Sequence, residues 1–107
     1  MSLRVVISRR AGREIEEIFD YIAGDSRSAA VRFLDAVDET VSAIAAHPRR
    51  WPVFEDIQHP LLPPIRRRPV IGFPIYLVFY LADEESVHVI HVIHGARDLR
   101  NLVQPPM

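Results

Sequence analysis

The segment from Ile65 to Asp98 constrains the fold most strongly, because it contains three strand-like runs separated by two turn signals. The runs are rich in β-branched and aromatic residues, and in chain order they are Ile65–Ile71, Ile75–Leu81 and Val87–Ile93. A Gly-Phe-Pro turn follows the first run, an Asp-Glu-Glu-Ser turn follows the second, and both can join neighbouring strands. The pattern predicts an antiparallel meander whose last two strands, apolar on both faces, are central.

The part of the chain before this meander is typical of one strand followed by two helices. Leu3–Ile7 reads as a short strand, and Ser8 is a candidate helix N-cap. Apolar residues then recur at helical spacing as far as Gly24, and again after cap candidates at residues 25–26 until Pro48. Because few residues join the helices, they are expected to form an antiparallel hairpin whose apolar faces need a covering surface.

These elements predict an α+β fold with the order β-α-α-β-β-β, in which the helical hairpin packs on one face of an antiparallel sheet. A short final helix from about Arg97 to Val103 completes the order as β-α-α-β-β-β(-α). Residues 47–64 hold five of the nine prolines, but their apolar side chains predict an ordered loop instead of a linker. One domain across residues 1–107 is expected.

Composition excludes several kinds of chemistry. The chain has no cysteine, so disulfides and thiolate metal sites are excluded, and a cytoplasmic location is expected. All thirteen basic residues are Arg, so no Lys is available as a base or Schiff-base nucleophile. The charged N-terminus does not resemble a secretory signal, and no apolar run approaches the ~20 residues of a transmembrane helix. P-loop, dinucleotide-binding and HExxH motifs are absent, and we expect no cofactor.

Three histidines in the last strand, His88, His91 and His94, invite a metal-site interpretation. Because side chains alternate along a strand, His88 and His94 are predicted on one face and His91 on the other. The three ligands would not converge, so no metal site is predicted. His94 stands out because it ends a central strand beside Gly95, although a structural hydrogen bond to the next turn also accounts for it.

The first strand of the meander carries the run Arg66-Arg67-Arg68 followed by Pro69. Proline cannot donate to a ladder, so this strand is predicted to lie at a sheet edge or to contain a bulge. Alternation places Arg66 and Arg68 on one face. They either protect the edge by their charge or bind phosphates or the carboxylates of a partner. Five Arg and only two acids lie from residue 49 to residue 68, a mildly basic stretch that falls short of a DNA-binding footprint.

Four further residues are candidates for contact with a partner. Trp51, beside Arg49 and Arg50, is either an exposed anchor or packed over the hairpin. Tyr80 shares a strand face with Tyr76, and core packing is the default for both. Arg97 and Asp98 follow the last strand, where they can pair with each other or cap the final helix.

The order of these segments resembles the RelE/ParE superfamily of toxins. A short strand ends in Ser, the first helix reads AGREIEEIFDYIA, and the second ends in IAAHPRRWP. After IRRRPVI, the run IYLVFYLADEESVHVIHVIHGARDL matches the family's aromatic-ended strand at Tyr80, its acidic turn at Asp83–Glu85 and its His-Gly-x-Arg-Asp ending at His94–Asp98. The resemblance covers nearly the whole chain, and the order and spacing of the segments carry it.

The resemblance implies a small cytoplasmic toxin neutralised by a cognate antitoxin, ParD-like or similar, whose C-terminal segment wraps around it. RelE-like members cut mRNA in the ribosome, whereas ParE-like members inhibit DNA gyrase. DNA contact is expected only indirectly, through the antitoxin. A third alternative is a chain that has lost toxicity and retains antitoxin binding alone.

The residues favour the ParE-like branch. A RelE-like ribonuclease needs cations, a base and an acid, but Ile75–Leu81 carries no cation and Gly95 stands where that branch has Tyr. A reduced ribonuclease set would consist of Arg66, Arg68, His94 and Arg97. In the favoured interpretation no residue is assigned a catalytic role, and the positions expected to contact target or antitoxin are Trp51, Arg66, Arg68, Tyr80, His94, Arg97 and Asp98.

Overall fold

The computed structural model describes residues 2–103, so Met1 and residues 104–107 of the predicted domain lie outside the described part. The helices and strands, in chain order, are β1 (Arg4–Ile7), α1 (Arg9–Ala23), α2 (Arg27–Ala46), β2 (Arg66–Val70), β3 (Phe73–Ala82), β4 (Ser86–His94) and α3 (Gly95–Val103). A short 3₁₀ helix, Glu55–Ile57, lies in the loop before β2. The predicted order is confirmed, including the final helix, which begins two residues earlier than expected.

The four strands form one sheet with the order β1-β4-β3-β2. The predicted antiparallel meander β2-β3-β4 is confirmed. β1 completes the sheet by pairing with β4 in parallel, Arg4 opposite Ser86 and Ile7 opposite Val89. This pairing brings the chain's first and last strands together. Parallel strands need a long connection between them, and here the rest of the sheet and the helical hairpin supply it.

Side-chain caps set the starts of both helices in the hairpin. The Ser8 hydroxyl accepts the backbone N–H of Ala11 at 3.0 Å, and the Ser26 hydroxyl accepts that of Ala29 at 3.2 Å. Each cap satisfies a backbone donor that the first helical turn leaves free. The two helices also pack against each other, so the predicted hairpin forms.

Apolar layers cover both faces of the sheet. On one face, Phe33 of α2 is fully buried, and its ring meets the rings of Phe73 and Tyr76 edge-on at 5.5 and 5.3 Å. On the opposite face, a smaller cluster forms around Ile65, Phe79 and Ile93, covered by the ordered loop and α3 through Phe54, Ile57, Leu99 and Leu102. This second layer explains why β3 and β4 are apolar on both faces.

A β-bulge in β4 overturns one prediction. Tyr80 pairs with Val89 but Phe79 pairs with His91, which leaves Ile90 without a partner position. Val87, Val89 and Val92 consequently all lie in the core under the hairpin. Because the extra residue reverses the alternation, His88 and His94 lie on opposite faces, and their predicted placement on one face is wrong.

Candidate partner-binding surfaces

The sheet divides the predicted site residues into two groups. Arg66 lies opposite Tyr80 and His94 lies opposite Tyr76. These two positions of β3 are four residues apart, which is about 13 Å along the strand. Arg68 lies opposite Val78, but it is two strands away from His94, which adds about 10 Å across the sheet. The four residues of the reduced ribonuclease set therefore do not form one site.

The first group forms a cationic surface, which we call the arginine surface: Arg49, Arg50, Trp51, Arg66 and Arg68. The Arg68 guanidinium lies 4.1 Å from the centroid of the Trp51 ring, and that of Arg50 lies 5.9 Å from it. Arg66 donates through Nη1 to the carbonyl of Trp51 at 2.8 Å and to that of Arg49 at 3.4 Å. Arg66 and Arg68 therefore share one face, as predicted, and both contact the loop before β2.

The arginine surface concentrates positive charge without direct ion pairs: none of its four Arg forms an ion pair with another described residue. Burial lowers the pKa of Arg68, the nearby charge of Arg50 lowers it further, and the charge of Glu39 opposes both effects to a smaller extent. The Nε of Arg68 and the Nε1 of Trp51 are covered and make no hydrogen bond with the described residues. Trp51 itself packs against the main core as a partly buried side chain.

The loop closes the outer edge of β2. Val53 forms an antiparallel bridge with Arg66. The backbone N–H of Arg67 donates to the carbonyl of Pro52 at 3.1 Å, and the N–H of Phe54 donates to the carbonyl of Ile65 at 2.8 Å. β2 is thus the last strand of the sheet, as predicted, but residues 52–54 cover its edge.

Tyr80 is the one predicted contact residue that the fold removes from the surface. Its side chain is fully buried, and its hydroxyl donates to the carbonyl of Pro48 at 2.7 Å. Burial raises the pKa of Tyr80 to about 12, which keeps the hydroxyl protonated as a donor. The assignment of Tyr80 to a partner-binding surface is therefore corrected: it is a core residue.

The second group, His94, Arg97 and Asp98, caps α3. The His94 Nδ1 accepts the backbone N–H of Arg97 at 3.0 Å, and the Asp98 carboxylate accepts the backbone N–H of His94 at 3.1 Å. Asp98 also pairs with Arg97 at 3.3 Å, and this hydrogen bond raises the pKa of Arg97. The exchange of side-chain and backbone bonds resembles a capping box, so the predicted pairing and the predicted capping both occur.

A cleft of about 670 Å³ lies beside this cap, between α1, α3 and the end of β4. We call it the corner cleft, and its polar lining includes Glu14, Tyr21, His91 and Arg97. Glu14 accepts hydrogen bonds from His91 Nδ1 at 3.1 Å and from the backbone N–H of Val92 at 3.1 Å. The Glu14–His91 pair joins residues 77 positions apart, and the sequence analysis did not identify it. Glu14 also pairs with Arg10, one helical turn before it, at 3.8 Å.

The free edge of β1 is the other surface feature that the sequence analysis did not identify. The N–H groups of Arg4 and Ser8 donate to carbonyls of β4 and its preceding turn, so the alternate residues Val5 and Ile7 direct their N–H and C=O groups away from β4. The side chains of Val6 and Ile7 are 38% and 40% exposed. After Arg4 this edge is apolar, and it carries no proline.

Metal and membrane features are absent from the described residues. Within residues 2–103, no three His, Asp or Glu side chains are close enough together to hold a metal ion. No helix in that range is long and apolar enough to cross a membrane.

Comparison with known proteins gives a family match and matches among solved structures. A family model described as the ParE toxin of the type II toxin-antitoxin system parDE matches residues 5–99. Among solved structures, a chain titled "Chromosomal ParDE TA system from P. aeruginosa" superimposes with a TM-score of 0.67 at 11% sequence identity, covering 87% of this chain and 96% of that chain. At this identity the likeness shows a shared fold. No curated protein matches the sequence.

Proposed function

The chain belongs to the ParE family of type II toxins, and from this premise we propose that it is a cytoplasmic toxin that binds and inhibits DNA gyrase. We further propose that a cognate ParD-like antitoxin neutralises it. The observation that carries the proposal is the family match across residues 5–99. Fold alone does not assign a target, so the argument for gyrase also depends on the residues that a competing ribonuclease activity would require.

Two features support binding over RNA cleavage. The residues of the reduced ribonuclease set lie at separate parts of the sheet, with Arg66 opposite Tyr80 and His94 opposite Tyr76. Gly95 stands where the ribonuclease branch has Tyr. A Cβ atom at Gly95 would lie 3.1 Å from Leu77 Cδ1, so a larger side chain there would require Leu77 to move. General acid–base catalysis needs groups within hydrogen-bond reach of one substrate, and the separated residues of the reduced ribonuclease set do not meet that condition.

The sheet offers one edge for strand addition by an antitoxin. Residues 52–54 cover the edge of β2, whereas β1 presents the outward backbone groups of Val5 and Ile7. An extended peptide gains main-chain hydrogen bonds at such an edge, and its alternate side chains give specificity. We therefore assign the antitoxin contact to β1, in preference to β2, whose edge is covered by the loop.

The test compares the two candidate targets in purified components. The toxin is added to gyrase with relaxed plasmid and ATP, and separately to translating ribosomes with a defined message. The proposal predicts loss of supercoiling and an intact message, with supercoiling restored when the antitoxin is added first. Normal supercoiling together with cleaved message would replace it with the ribonuclease activity. Normal supercoiling, intact message and harmless expression without antitoxin would indicate a chain that only binds antitoxin.

A further inference from the structure

We propose that the arginine surface is a docking site for a short acidic peptide segment of a partner protein, whose carboxylates bind the guanidinium groups of Arg49 and Arg50. This inference goes beyond the proposed function, since it names the chemistry of a partner and does not depend on gyrase being the target.

Positive charge is concentrated in this surface without direct ion-pair partners. Four of the chain's thirteen Arg, namely Arg49, Arg50, Arg66 and Arg68, lie in it, and the bridge between Val53 and Arg66 brings their two stretches of chain together. The Arg–carboxylate pairs among the described residues involve Arg10 and Arg97, which lie elsewhere. Like charges held together repel one another, and an anionic partner relieves that repulsion.

The four arginines of the surface differ in their burial and in their hydrogen bonds. Arg66 and Arg68 are half-buried, and each uses Nη1 on a carbonyl of this chain: Arg66 on Trp51 and Arg68 on Pro69. Arg49 and Arg50 are exposed, and no hydrogen bond from their side chains to another described residue is formed. Arg66 therefore holds the loop against β2 through its bonds to loop carbonyls, and Arg68 does so through the Trp51 ring. Arg49 and Arg50 keep their forked donors available for carboxylates.

The small number of free guanidinium groups suits a short acidic peptide better than a nucleic acid. Stable binding to a phosphate backbone depends on several neutralised phosphates, whereas this surface offers two free guanidinium groups. The chain carries a net charge of −1, and residues 1–47 hold eight acids against six Arg. This overall balance of charge disfavours a long polyanion more than a short acidic segment that spans only the arginine surface. Strand pairing is excluded at the covered β2 edge, so recognition there depends on side chains.

Trp51 makes the proposal directly measurable, because it is the only tryptophan of the chain and lies beside Arg50 and Arg68. The experiment titrates the full chain with a short synthetic Glu-rich peptide and follows Trp51 fluorescence. A peptide of the same length with Gln at every Glu position controls for charge. The double variant Arg49→Gln/Arg50→Gln is compared with Arg13→Gln/Arg27→Gln, which removes two exposed Arg on the helices.

The expected result is saturable binding of the Glu peptide alone, weakening as salt rises. The Arg49→Gln/Arg50→Gln variant is expected to lose at least about tenfold in affinity, while the helix variant binds as the unaltered chain does. Circular dichroism checks that both variants fold. Equal weakening in the two variants, or equal binding of the Gln peptide, would overturn the proposal. Tighter binding of RNA or duplex DNA of similar length, lost in the same variant, would assign the surface to nucleic acid instead.

Discussion

The carboxylate of Glu14 on α1 lies 3.1 Å from the Nδ1 of His91 on β4 and accepts the backbone N–H of Val92 as well. β1 ends at Ile7, opposite Val89, so this part of β4 has no neighbouring strand on that side. One helix side chain therefore supplies the hydrogen-bond acceptor that a further residue of β1 would have supplied. Both side chains are largely covered, with 17% and 18% of their surfaces exposed.

We predict that Glu14→Ala lowers the free energy of unfolding by about 2 kcal/mol, because it leaves the Val92 N–H and the imidazole without their charged acceptor. Urea denaturation measures the change. Glu16→Ala is the matched control, since Glu16 is exposed on the same helix, and it should change stability by less than about 0.5 kcal/mol. Equal effects of the two variants would show that the Glu14 contacts add nothing to stability.

Tyr80→Phe separates a core role from a contact role. Loss of the hydroxyl leaves the Pro48 carbonyl without its donor, which should cost about 1 kcal/mol of stability. Because Tyr80 is buried, antitoxin binding and the effect on gyrase should remain as in the unaltered protein. Thermal unfolding and an antitoxin titration measure the two properties. Unchanged stability with weakened binding would place Tyr80 back on a partner surface.

Asp83, in the turn between β3 and β4, makes the stability of the fold depend on pH. Hydrogen bonds from the backbone N–H groups of Glu85 and Ser86, together with His88, lower the pKa of the Asp83 carboxyl. A lowered folded-state pKa stabilises the fold above the unfolded-state pKa, and this contribution disappears as pH falls through the folded value. Asp83→Asn keeps an oxygen acceptor but removes the charge.

The variant is therefore expected to be less stable than the unaltered protein at neutral pH and equally stable at about pH 2. Denaturation midpoints across this range measure the difference. A stability difference that stays constant over the whole range would exclude a contribution from the Asp83 charge.

The free edge of β1 predicts how antitoxin binding can be blocked. A charged side chain on an edge strand discourages pairing with another strand, so Ile7→Lys should weaken antitoxin binding at least about tenfold. Val31→Lys places the same charge on an exposed apolar position of α2 and serves as the control. Calorimetric titration of each variant with the antitoxin measures the effect. Equal affinity of the two variants would move the antitoxin contact away from β1.

Local patterns in the sequence were sufficient to predict most of the fold. Alternation and turn residues predicted the meander, and helical spacing and the Ser8 cap predicted the hairpin, both of which the structure confirms. Pro69 predicted an edge strand or a bulge, and β2 both ends the sheet and shifts its register between Pro69 and Val70. These features depend on neighbours in the chain. The pairing of β1 with β4 joins residues about eighty positions apart, and no local pattern encodes it.

The positions of the candidate site residues were predicted less completely than the fold, because they depend on a strand irregularity and on helix packing. The bulge at Ile90 inserts one residue into a regular alternation, so the faces of His88 and His94 could not be read from spacing. The Glu14–His91 pair depends on how α1 lies across β4, which helical periodicity does not determine. Arg66 and Arg68 were correctly assigned to one face because they lie before any irregularity in β2.

The central claim, inhibition of gyrase by binding, is tested most directly by titrating a fixed amount of gyrase with the purified toxin and measuring supercoiled plasmid. The account predicts that activity falls in proportion to toxin added, levels off at a fixed ratio of toxin to enzyme, and returns when antitoxin is supplied. Full supercoiling activity with toxin in large excess over gyrase would contradict it.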